Sequence, residues 1–81
     1  MKLPRDISGT SLIKSCEKLG YIVTRQTGSH IRLTTEQKGQ HHITIPNHSP
    51  IRIGTLSSIL GEIAEHFKTS KEEIINQLFN K

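Results

Sequence analysis

Tyr21-Ile22-Val23-Thr24-Arg25-Gln26-Thr27-Gly28-Ser29-His30-Ile31-Arg32-Leu33-Thr34 is the stretch that decides the fold. Two strand-like runs, 21–24 and 31–34, flank the Thr27-Gly28 pair. Glycine tolerates the positive φ of a tight turn, so the pair predicts a hairpin. Side chains alternate along a strand. Ile31 and Leu33 therefore share one face, and His30, Arg32 and Thr34 share the other. The chain sets a histidine just after the turn, between Arg25 and Arg32.

Working outward, the polar run Glu36-Gln37-Lys38-Gly39-Gln40 predicts a second hairpin loop. His42-Ile43-Thr44-Ile45 then predicts a third strand that stops at Pro46, with Ile43 and Ile45 toward the core and His42 and Thr44 away from it. Three short strands with tight loops make an antiparallel meander whose apolar side needs helices to cover it. Upstream, Ser8 reads as an N-cap and Gly20 as the residue that ends a helix. Leu12, Ile13, Cys16 and Leu19 form the apolar stripe between them. Cys16 lies in that stripe and reads as small core filler. Downstream, Leu56, Ile59, Leu60, Ile63 and Phe67 recur at helical spacing. Ser70-Lys71-Glu72-Glu73 predicts a capping box that opens a last helix. The expected fold class is α+β: a three-stranded antiparallel sheet with helices on one face, in the order α-β-β-β-α, plus an additional C-terminal helix. The 81 residues read as one domain, 1–81, with a core over about 4–67 and the additional helix over about 70–80.

Composition narrows the class. Lys and Arg number 11 against 7 Asp and Glu, for a formal charge of +4. The excess is uneven: residues 1–52 hold eight basic and three acidic side chains, residues 53–81 three and four. A basic front half suits an anionic partner such as nucleic acid. The single cysteine excludes an intrachain disulfide and a cysteine zinc site. The first residues have no signal-peptide pattern and no run is long enough to span a membrane, so the expectation is a cytoplasmic protein with no membrane partner.

The five histidines are His30, His41, His42, His48 and His66. Neighbours on a strand point to opposite faces, so His41 and His42 do not share an ion. No ligand spacing calls for a metal, and nothing calls for a cofactor. His66 reads as a solvated helix residue. His30 stands beside cations. RNA cleavage without metal needs a base for the 2′-hydroxyl, an acid for the leaving 5′-oxygen and cations for the phosphorane. Histidine and arginine are the residue types for those roles. The residues alone leave two roles open for His30, catalyst or exposed surface side chain.

Four segments carry a more specific signal: Ser8-Gly9 with Leu19-Gly20-Tyr21, Arg25-Gln26-Thr27-Gly28-Ser29-His30, Ile45-Pro46-Asn47-His48, and Gly54-Thr55-Leu56-Ser57-Ser58-Ile59-Leu60. In this order and spacing, from about Pro4 to Leu60, the chain resembles the HicA (YcfA-like) toxins of bacterial toxin–antitoxin systems. The resemblance implies a double-stranded-RNA-binding-like fold, an mRNA endonuclease activity that halts translation and growth, and a HicB antitoxin that covers the site. The family's catalytic histidine falls on His30. Around it, Arg25, Ser29 and Arg32 are expected to bind RNA, with Lys14, Lys18 and Lys38 adding diffuse attraction. Gly28, His42 and His48 are expected in supporting roles. The alternative is a non-catalytic RNA-binding module of the same fold. One cation at the start of the second long helix, Arg52, argues against a simple duplex grip.

Overall fold

A computed structural model describes residues 3–79 of the chain. The start of the expected lead-in, residues 1 and 2, and the expected helix end at residue 80 lie outside the described residues. Helix α1 spans Gly9–Cys16 and runs into a 3-10 turn, Glu17–Leu19. Strands β1 (Ile22–Thr27), β2 (His30–Thr35) and β3 (His41–Pro46) follow, then α2 (Ile53–Phe67) and α3 (Lys71–Phe79). The strands form one antiparallel sheet in the order β1-β2-β3. This is the expected α+β arrangement.

The caps explain where the helices start and stop. The Ser8 hydroxyl accepts from the Ser11 amide at 3.1 Å, satisfying one of the free donors of the first turn. Gly20 closes the segment at φ 82°. Ser70 caps α3 by accepting from the Glu73 amide at 3.0 Å. The reciprocal half of the expected capping box is absent: the Glu73 carboxylate accepts from Gln77 Nε2 at 3.2 Å, one helical turn on.

Ile31 and Leu33 of β2 and Ile43 and Ile45 of β3 turn inward and are buried. Leu12 and Cys16 of α1, Leu56, Leu60 and Ile63 of α2, and Ile74 and Leu78 of α3 close over them. Burial pushes the Cys16 thiol up to about 12, so it stays protonated and inert at neutral pH. Tyr21 precedes β1 instead of opening it, and its ring is fully buried. Its hydroxyl shares a 2.8 Å hydrogen bond with His41 Nδ1. The His41 ring stacks on His66 at 4.3 Å between centroids. Among the described residues, no helix is long and apolar enough to cross a membrane.

The hairpin turn sits one residue later than expected. β1 runs to Thr27 and β2 begins at His30, so the loop is Gly28-Ser29, with Gly28 at φ 58°. A two-residue loop with glycine first suits the right-handed twist of the flanking strands. His30 is thereby held inside the ladder, between Thr27 and Pro46.

Candidate functional site

The face of the sheet away from the helices carries His30, Arg32 and Thr34 from β2, and His42 and Thr44 from β3. Arg25 reaches the same face only because β1 bulges between Val23 and Arg25. Val23 pairs with Leu33 and Arg25 with Arg32, so Thr24 is the extra residue. An unbroken ladder would align Arg25 with Ile31, on the side of the helices. The bulge puts two arginines directly opposite each other. A like-charged cross-strand pair costs stability, about 0.2–1 kcal/mol, unless an anion sits on it. Neither guanidinium has an acidic partner among the described residues, and the Arg32 Nε is buried without any hydrogen bond. Two guanidiniums so placed have the geometry and free donors that an anion can accept from.

Beyond Arg32 the open face continues as a shallow groove of about 610 Å³ lined by Ile22, Thr24, Thr34, Gln37 and His42, with Glu36 at its edge. His42 Nδ1 and Thr34 Oγ1 lie 2.7 Å apart, and Thr34 Oγ1 lies 2.9 Å from Thr24 Oγ1. This chain fixes the orientation of the His42 ring.

The other end of the face holds a second cavity, about 460 Å³, lined by His30, Thr44, Pro46, His48, Arg52 and Thr55. His48 is brought there by backbone contacts. The Asn47 amide donates to the Ser29 carbonyl at 2.6 Å, the Gly9 amide to the His48 carbonyl at 2.8 Å, and the Ile51 amide to the Ile7 carbonyl at 2.7 Å. The loop is therefore clamped between the hairpin tip and the start of α1. Gly9 permits that approach: a Cβ there would lie 2.6 Å from the Pro46 carbonyl oxygen and 2.8 Å from Asn47 Cα.

The expected site residues thus divide. Arg25, His30, Arg32 and His42 share the open face, Gly28 and Ser29 form the turn beside His30, and His48 shares a cavity with His30. Lys14 lies on α1 and Lys18 in the 3-10 turn that follows it, both on the covered side of the sheet, and Lys18 Nζ donates to the Leu78 carbonyl at 3.1 Å. Lys38 sits in the β2–β3 loop, at the far end of β2 from His30, with φ 58°. Arg52 and Thr55 were not assigned to the site from sequence. The available signal was a cation two residues ahead of Gly54-Thr55 at a helix start, where the first amides have no partner inside the helix.

The residues of this face lie inside a family match. The model of the HicA toxin of bacterial toxin–antitoxin systems matches residues 9–64, about two thirds of the chain. The chain belongs to the HicA toxin family. It is thereby a toxin of the toxin–antitoxin class. In this HicA chain the matched region covers α1, all three strands, both cavities and most of α2, and α3 lies beyond it. No curated protein and no solved structure matches the chain.

Proposed function

We propose that this HicA-family toxin is a metal-independent endoribonuclease that cuts mRNA and is neutralised by a cognate HicB antitoxin seated over the His30 face. The observation that carries the reading is the setting of His30. It is exposed, its ring has no hydrogen-bond partner among the described residues, and it shares its sheet face with the facing Arg25–Arg32 pair. The arginines bind backbone phosphates along the strand, and the imidazole moves a proton at the 2′- or 5′-oxygen. Ser29, in the turn beside His30, contacts the RNA, and Gly28 supports that turn. The chemistry of this reading needs only side chains: a base, an acid and cations.

The cellular test is induction of the toxin with and without its antitoxin. Wild type alone should arrest growth and fragment transcripts. His30→Ala should do neither while accumulating to the same level. Growth arrest by His30→Ala with transcripts cut would overturn the assignment. RNA binding by wild type with every transcript intact would favour the non-catalytic module.

A further inference from the structure

The geometry points to His48 as the second proton-transfer residue of the site, with Arg52 as the cation that holds the reacting phosphate between it and His30. This inference rests on the ribonuclease reading above.

The five histidines separate by what their rings do. His41 shares a hydrogen bond with the Tyr21 hydroxyl, His42 with Thr34 Oγ1, and His66 Nε2 donates to the Gln37 carbonyl. Each has a structural task. The rings of His30 and His48 have no hydrogen-bond partner among the described residues, both residues are exposed, and both line the same cavity. Two unengaged imidazoles from distant parts of the chain meet at one concave site. Arg52 lines that cavity, exposed and without an acidic partner among the described residues. The loop that carries His48 is pinned by backbone groups, so the imidazole contributes nothing visible to holding it.

Strand scission by this pair balances without a co-reactant. One imidazole, neutral, takes the proton of the 2′-hydroxyl as that oxygen bonds to phosphorus. The P–O5′ bond breaks, and the other imidazole, protonated, gives its proton to the leaving 5′-oxygen. The products are a 2′,3′-cyclic phosphate and a 5′-hydroxyl. Each histidine ends in the other's starting state, and exchange with water resets them. Arg52 faces the charge that builds on the non-bridging oxygens.

The test uses the full-length protein and an RNA oligonucleotide spanning a cleavage site mapped with wild type. The oligonucleotide is made with either oxygen or sulfur at the bridging 5′ position. A thiolate leaves without protonation, so the sulfur substrate removes the need for the acid. On the oxygen substrate His48→Ala should fall about 10²–10⁴-fold, as His30→Ala does. On the sulfur substrate one of the two variants, and only one, should recover to within about tenfold of wild type, which names the acid. His48→Gln should show the same pattern, and both variants should melt as wild type does. His48→Ala at wild-type rate on the oxygen substrate would overturn the inference. So would both variants being equally slow on the two substrates. Either result leaves the ribonuclease reading standing, whereas a wild type that cuts neither substrate sinks both.

Discussion

Gly9→Ala should destabilise the toxin and shift the His48 loop. The Cβ would enter 2.6 Å from the Pro46 carbonyl oxygen and 2.8 Å from Asn47 Cα, where ordinary contact begins near 3.4 Å. Something must move by about 0.8 Å. The obstructing atoms are backbone, so no rotamer change relieves the clash. Overpacking of this kind costs about 1–3 kcal/mol. Displacing residues 46–47 also strains the amide contacts from Gly9 to His48 and from Asn47 to Ser29, each worth about 1 kcal/mol. Alanine's better helix propensity returns at most about 1 kcal/mol. The net loss is about 1–3 kcal/mol, which for a domain of this size lowers Tm by about 5–20 °C. Far-UV circular dichroism melts read the stability. Amide shifts in a ¹⁵N spectrum should be largest at residues 9, 29 and 46–48. Gly54→Ala is the control. It also lies in a helix's first turn, but nothing stands within 4 Å of its Cβ, so Tm should hold or rise. If Gly9→Ala melts at or above wild type with shifts confined to α1, the clamp is not where this account puts it.

Two further outcomes follow from the same packing. Gly61 lies inside α2, and a Cβ there would meet only Lys71 Cε at 3.6 Å, an ordinary contact. Gly61→Ala should therefore raise stability by about 1 kcal/mol, read by urea denaturation. His41 has its pKa lowered, first by burial and then by the neighbouring His66, with His42 adding and Glu62 and Glu65 opposing. The unfolded chain thus takes up this proton first, near pH 6.5. The stability contributed by neutral His41 is full above that pH and is lost as pH falls through the lower folded value. Denaturation midpoints should drop between pH 7 and 5, and less steeply in His41→Gln. An unchanged slope in that variant would show that other groups carry the dependence.

Much of the fold was legible because its signals are local. The Leu56-to-Phe67 spacing, the Ser8 and Ser70 caps and the glycines at 20 and 28 each act within a few residues of where they stand. The bulge was not legible. Nothing in Val23-Thr24-Arg25 marks it, since an edge strand with every side chain exposed loses no core contact by adding a residue. Yet the bulge decides which face Arg25 serves. The lysines went the other way. Lys14, Lys18 and Lys38 were expected to add diffuse attraction around His30, but a charge count carries no face: Lys14 and Lys18 stand on the helix side of the sheet, and Lys38 in the loop at the far end of β2. Arg52 was visible as a cation and unassigned. Its place beside His30 depends on the clamp across residues 9, 29 and 48, which is long-range backbone bonding that no spacing rule reports. The Glu73 carboxylate turns to Gln77 on the next turn instead of back to the cap.

The central claim is that His30 performs chemistry on RNA without a metal. The most direct measurement is the cleavage rate of a defined transcript by purified wild type and His30→Ala, in excess EDTA. Wild type should cut at the same rate with and without EDTA. His30→Ala, melting at the wild-type temperature, should be at least about 10²-fold slower. Wild-type cleavage by His30→Ala, or wild-type activity that stops in EDTA and returns with added divalent metal, would contradict it.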